Sequence, residues 1–451
     1  MARRFPRSIL IAFGALAGCQ RSDDGGSDLG ETGGSTGAAT STPTTTTTAG
    51  ESDGGVDSTT TTTAGSESGG STSATSTSDD DAGTEDTGAI DPGPVGEWVD
   101  ITPPGMLSAI GIGASAAAPH VLYVNSFAGF PPSEGPSETA GIYKSIDAGD
   151  TWVGPIGTTF SNHDGSAFDG DNPWHSGVSW TIAVDPTTPD IVYAFCAFAG
   201  PQGPWKSSDG GDSWQYIFSD EDVSEMSADV YAIAIDPRDE AHLLLTFHSP
   251  WSGQEAAGVA ESIDGGETWI RHAPAGPWGA GHYAFFLGED DDGNPSSSTW
   301  ILATQSNGYW RTMDGGESWT QIEDGYGMQH GAGAMYRAST GVLYMGATGA
   351  LLRSVDNGQT WNDAGAPNNQ DGYNAVIGDG VQMFVQSANT GTNTTGPLPY
   401  SVSLESDGTQ WSVYNDQTFP DGPGWMVADR THKLIFSANW DHGLWRLNTG
   451  N

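Results

Sequence analysis

One eight-residue phrase recurs through this chain and ends each time in tryptophan. The full copies run 145–152, 207–214, 262–269, 312–319 and 354–361, the third reading Ser262-Ile-Asp264-Gly-Gly266-Glu-Thr268-Trp269. A sixth, shortened copy is Glu405-Ser-Asp407-Gly408-Thr-Gln-Trp411. Successive tryptophans lie 62, 55, 50, 42 and 50 residues apart. Self-similarity at such a period indicates a repeat architecture, each unit being one supersecondary element that needs its neighbours.

The phrase has the chemistry of a tight hairpin turn. Short Ser, Thr and Asp side chains hydrogen-bond nearby backbone N–H groups, and glycine supplies positive φ. The closing Trp starts the returning strand and offers a large apolar anchor. Short strands opening on glycine precede most copies, for example Gly141-Ile-Tyr-Lys144 and Gly308-Tyr-Trp-Arg311. Two further strands per unit are legible: the apolar runs 178–184 and 230–235 end in Asp-Pro, and the runs 191–195 and 243–247 follow a polar turn. Four short strands per unit, repeated radially, make a β-propeller.

The chain ends say how the ring closes. Gly443-Leu-Trp-Arg-Leu447 matches the strand before the phrase but has no phrase after it, and Gly96-Glu-Trp98-Val-Asp-Ile-Thr102 matches the strand after it. Paired, the two complete one blade and remove an open sheet edge. Six phrases plus this shared blade predict an all-β, seven-bladed propeller over residues 96–451, with about 51 residues per blade.

The repeats resemble the Asp-box (bacterial neuraminidase) repeats of sialidases, sortilin-type domains and xyloglucanase-like glycoside hydrolases. The segment from Gly177 to Tyr193, followed by Lys206-Ser-Ser-Asp-Gly-Gly-Asp-Ser-Trp214, is most similar to the xyloglucanase-like group. The resemblance covers residues 96–451 and implies a propeller with Asp-box hairpin turns on its outer, lower side. It also implies ligands on the opposite, upper face.

Ahead of the propeller, Arg3, Arg4 and Arg7 precede the apolar run 9–16 and then Leu16-Ala-Gly-Cys19. That pattern reads as a signal peptide over 1–18, too short to span a bilayer. Its cleavage site resembles a bacterial lipobox, which makes Cys19 the expected lipidated residue. Residues 19–95 are Ser, Thr, Gly and Asp with almost no apolar content, and are expected to form a disordered linker. The expected product is exported and lipid-anchored at the outer membrane or cell surface, touching the membrane through its lipid only.

Charge removes several function classes. The chain's 57 acidic residues less the 14 before residue 96 leave 43 in the propeller, against ten Lys and Arg. A field of that sign repels nucleic acid and anionic lipid. Cys196 is the only cysteine besides Cys19, so a disulfide within the propeller is excluded.

The upper face collects the residues before each inner strand and those between the second and third strands. The first set is Trp174 and His175, His282, Gln329 and His330, Tyr373 and Trp425. The second is Asn125, His248 and Trp251, Gln305 and Asn307, Asn389, and Asn439-Trp440-Asp441-His442. The expected binding residues are therefore Trp174, His175, His248, Trp251, His282, His330, Trp440 and His442. Imidazoles from several blades are able to converge on a transition metal, to act in acid–base chemistry, or to line a polar funnel.

Carboxylates give a second constellation. Asp164, Asp169 and Asp171 lie in an acidic loop that resembles, in placement, the segment supplying a catalytic Asp in xyloglucanase-like enzymes. Asp171 with Asp441 is the candidate pair, Asp416 being the alternative partner, since glycoside hydrolysis needs two carboxylates. Asp169-Gly-Asp-Asn also suits Ca²⁺, whereas the run from Glu289 to Asn294 reads as a charged turn on the phrase side.

Sialidase chemistry is disfavoured, because those enzymes clamp a carboxylate with arginines and residues 96–230 contain none. The expected function is binding or processing of extracellular, neutral polysaccharide, the enzyme being glycoside hydrolase-like if it is one. The alternatives are a scaffold for a cell-surface protein partner and a metal-dependent enzyme.

Overall fold

The computed structural model describes residues 90–451 except 107, 127–138, 176–178, 197–201, 329–334, 368–371 and 388–396. Cys19, His330 and Asn389, with the segments read as signal peptide and nearly all of the linker, lie outside the described residues. The strands form seven sheets. The first six blades follow in chain order over 109–156, 159–216, 230–272, 282–323, 336–363 and 373–419.

The seventh blade closes the ring as expected. It joins Trp425–Asp429, Leu434–Ala438 and Leu444–Asn448 to the N-terminal strand Trp98–Asp100. Trp98 stands opposite Leu447 and Asp100 opposite Trp445. Residues 90–95 continue along this seam: Asp91 N donates to Asp150 at 2.8 Å, and Asn448 Nδ2 donates to the Gly93 carbonyl at 3.0 Å.

Each full phrase folds into the same turn. Ser262 Oγ donates to Asp264 Oδ1 and accepts from Gly266 N, both at 2.8 Å. Thr268 N donates to Asp264 Oδ1 at 2.9 Å, and Thr268 Oγ1 to Oδ2 at 2.5 Å. Glycines 265 and 266 have φ of 71° and 94°, so the two left-handed residues bring the chain back on itself. Burial works against the Asp264 charge, but the bonds from Thr268 and Ser262 outweigh it and hold the carboxyl below its usual range. In the sixth copy the serine is replaced by Glu405, which is 1% exposed. Its carboxylate accepts from Ser339 N and Gly380 N at 2.8 and 2.7 Å, tying the fifth blade to the sixth.

The turns also dock neighbouring blades. Lys206 Nζ donates to the Gly265 carbonyl at 2.9 Å, and Arg446 Nη1 donates to the Ala148 carbonyl at 2.9 Å. Gly265 and Ala148 occupy the same position of the phrase, so a cation at the fourth position of a glycine-opened strand grips the turn of the next blade. The third blade inverts the sign, with Glu261 at the Lys206 position. Glu261 Oε1 lies 2.8 Å from His242 Nε2, and Oε2 lies 2.8 Å from His272 Nε2. Asp236 lies 3.5 Å from His242 Nδ1 on the other side.

Candidate functional site

The upper face is the end of the ring opposite the phrase turns. Its centre is closed by large aromatic rings. Trp440 packs against Trp180 at 5.8 Å, Trp180 against Tyr231 at 5.8 Å, Tyr231 against Tyr283 at 4.9 Å and Tyr283 against Trp425 at 6.1 Å. These residues come from the second, third, fourth and seventh blades, so the chain of rings crosses the channel. Deeper in the channel, a cavity of about 230 Å³ is lined by Ile112, Ile182, Val184, Ile233, Ile235 and Val427 with Trp425. Trp180, Tyr231 and Tyr283 are 2% exposed or less, while Trp425 and Trp440 are half-buried.

Trp440 is held in place by its backbone. It adopts φ of 49°, and its carbonyl accepts from Ala109 N at 2.9 Å. A β-carbon-bearing residue there carries some strain, a feature that recurs at ligand-contacting positions. The next residues form a rim. Asp421, 7% exposed, accepts from His442 Nδ1, while the His442 side chain remains 42% exposed. Burial raises the Asp421 carboxyl above its usual range; His442 opposes that rise and Asp441 adds to it. Asn439 Nδ2 donates to the Asp421 carbonyl at 2.9 Å and Asn439 Oδ1 accepts from Tyr400 at 3.1 Å, so the rim is fixed from below. A second imidazole is oriented alike, His248 Nδ1 lying 3.2 Å from Asp229 Oδ2 with its ring 5.2 Å from Tyr231.

Several expected residues sit elsewhere than on an open face. Trp174 is 1% exposed and packs with Trp205 and Trp214, their ring centroids 6.3 and 5.1 Å from its own. Trp251 is 5% exposed and packs edge-on against Phe247 at 5.4 Å. Both are core side chains. His282 is wholly buried, its Nε2 donating to the Ala257 carbonyl at 3.0 Å. Burial pushes its imidazole down, the Ala257 bond opposing. His175 is half-buried at the end of the short turn Pro173–His175.

The acidic loop follows an added edge strand. Thr159–Ser161 adds a fifth strand, parallel to Ser213–Tyr216, at the outer edge of the second blade. His163 then reaches the Glu267 carbonyl in the third blade's phrase at 3.4 Å. The loop roofs an outer cavity of about 420 Å³ that includes Asn162, His163, Phe168, Trp205 and Tyr216. Asp171 and Asp441 are both exposed. They belong to the second and seventh blades, which the first blade separates around the ring. The run from Glu289 behaves as a surface turn, with Asp290 accepting from Asn294 N at 2.8 Å and Asp291 paired to Arg311.

Sequence reasoning missed the ring of Trp180, Tyr231 and Tyr283. Their signal is an aromatic at the upper start of an inner strand, where a narrow channel otherwise favours small residues.

No family model matches the sequence, and no curated protein matches it. Among solved structures the propeller is similar to the GH74 xyloglucanase from Xanthomonas campestris, with 17% identity and a TM-score of 0.54 over 78% of this chain and 54% of that one. It is also similar to the GH74 enzyme from Niastella koreensis, with 16% identity and a TM-score of 0.52 over 77% of this chain and 53% of that one. The chain spans about half the length of these enzymes. At such identities the likeness establishes the seven-bladed propeller fold and leaves the reaction to the residues themselves.

Proposed function

We propose that the upper face binds neutral polysaccharide and that the protein is a surface-anchored glycan-binding propeller. The observation that carries this reading is the half-buried pair Trp425 and Trp440 at the two ends of the aromatic chain that closes the throat, with Gln305 and His248 held against Tyr231 within it. Indole faces stack on the apolar faces of sugar rings, and amide and imidazole groups meet hydroxyls. A xyloglucanase among the similar folds agrees with a neutral polysaccharide ligand. The propeller's negative charge argues against polyanionic glycans.

Affinity electrophoresis against a panel of neutral and acidic polysaccharides tests the proposal. Trp440→Ala is expected to weaken binding at least tenfold, since aromatic anchors dominate such interfaces. Retention of full affinity in that variant, or binding to acidic glycans alone, overturns it. A glycoside hydrolase role through Asp171 and Asp441 remains a proposal that release of reducing ends in the same panel checks.

One observation favours a second reading, a protein-interaction scaffold. The second residue of four phrases is an exposed aliphatic or Met: Ile146, Ile263, Met313 and Val355 are 38, 62, 49 and 64% exposed. These side chains ring the lower face, where a cell-surface protein partner would bury them.

Anchoring is proposed to run through lipidated Cys19. Cys19→Ala is expected to move the protein from the membrane fraction to the soluble one with its melting temperature unchanged. Persistent membrane association of that variant after a high-salt wash contradicts the anchor.

A further inference from the structure

We propose that His120, His432 and Asp429 form a divalent transition-metal site across the seam between the first and seventh blades. One potential ligand atom from each residue lies within 4.8 Å of the others. The two imidazole rings meet edge to face, centroids 5.7 Å apart. Both are half-buried and reachable from solvent, while Asp429 is wholly buried.

Part of this arrangement belongs to the fold and part does not. Asp429 Oδ1 accepts from His432 N at 3.0 Å, just as Asp185 accepts from Thr188 N and Asp379 from Gln382 N at 2.8 and 2.7 Å. Capping the turn with aspartate is therefore a repeated device. The histidines are not repeated. His432 stands where those turns carry Thr188 and Gln382. His120 is defined by its carbonyl, which accepts from Ala148 N; the equivalent acceptors for Gly210, Gly265 and Gly315 are Asp190, Ala241 and Ser298. Two imidazoles thus occupy positions that vary freely among the blades, and they meet at the one junction that joins the first blade to the last.

The donor set names the class of ion. Two imidazoles and one carboxylate suit Zn²⁺, Co²⁺ or Ni²⁺, whereas Ca²⁺ and Mg²⁺ prefer oxygen ligands throughout. Three protein ligands leave a fourth position for water. Asp429 Oδ2 lies 2.6 Å from His432 Nδ1, so ligation by this pair replaces the shared proton between them with the ion, and binding releases that proton. The site lies on the phrase-turn side of the ring, away from Trp440 and His442, so it stands independently of the glycan reading. Its consequence is mechanical: an ion there clasps the first blade to the last in a propeller that has a single cysteine, Cys196.

Titrating tag-free, chelator-treated full-length protein with Zn²⁺ in a calorimeter tests the site, with Co²⁺ absorption as a second readout. The expected result is one equivalent bound, a rise in melting temperature with Zn²⁺, and a visible Co²⁺ band typical of low-coordinate nitrogen and oxygen ligation. His120→Ala and His432→Ala, at half-exposed positions, are each expected to weaken binding at least tenfold while the apo melting temperature stays within a few degrees. Absence of binding by the unmodified protein overturns the proposal, as does unchanged stoichiometry and affinity in the double variant. A variant that fails to fold does not shield the proposal, because the calorimetric and Co²⁺ results on the unmodified chain already decide it.

Discussion

Deleting residues 440–451 is expected to abolish cooperative folding, whereas deleting residues 20–86 leaves the melting temperature unchanged. Leu444–Asn448 is paired on both sides, to Leu434–Ala438 and to Trp98–Asp100. Its removal strips two wholly buried leucines, Leu444 and Leu447, from the core. It also removes Arg446, which reaches Asp150 in the first blade at 2.7 Å. Each buried leucine alone is worth about 2–5 kcal/mol, and the exposed strand edges add an aggregation hazard. The two leucines together, about 4–10 kcal/mol, are comparable with the roughly 5–15 kcal/mol that stabilises an ordinary domain. Thermal unfolding of the two deletions checks this, and equal melting temperatures would contradict ring closure through the chain ends.

The second large effect belongs to the inverted site of the third blade. Glu261→Gln is expected to cost about 3 kcal/mol near pH 5.5, the magnitude typical of breaking a buried ion pair. Its pH dependence has a defined sign. Burial alone pushes the His242 imidazole down, but hydrogen bonds and charge from Asp236 and Glu261 more than reverse that and raise it to about 9. Burial alone raises Glu261, but His242 and His272 hold it down to about 2. A raised imidazole stabilises the fold fully below its ordinary value of 6.5 and loses that contribution as pH climbs through about 9. A depressed carboxyl stabilises above its ordinary 4.5 and loses that contribution as pH falls through about 2. The network therefore contributes most between 4.5 and 6.5. Urea midpoints at pH 5.5 and 9.5 are expected to fall further for the unmodified protein than for the variant; parallel shifts would sink the assignment.

Much of the fold was legible because the phrase encodes its own turn. Asp264, Ser262, Gly266 and Thr268 interact within eight residues, so local chemistry alone predicts the hairpin, and the periodic copies predict the ring. The unmatched halves at Trp98 and Trp445 made the closure readable in the same way. The upper face was less legible because exposure there depends on neighbours distant in sequence. Trp174 falls at a loop position in the repeat, yet Phe160 from the added fifth strand and Trp205 enclose it. His282 opens an inner strand, yet the Ala257 carbonyl of the preceding blade captures it. The meeting of His120 with His432 joins residues more than three hundred positions apart, and no local spacing announces such a pair.

Ligand is proposed to bind the upper face. Hydrogen exchange of backbone amides, read with and without a saturating neutral polysaccharide, tests it most directly. Slowed exchange is expected in peptides covering 422–443 and 304–309, with no change across the phrase turns 262–269 and 312–319. Protection confined to those turns, with 422–443 unaffected, would place the ligand on the lower face and contradict the account.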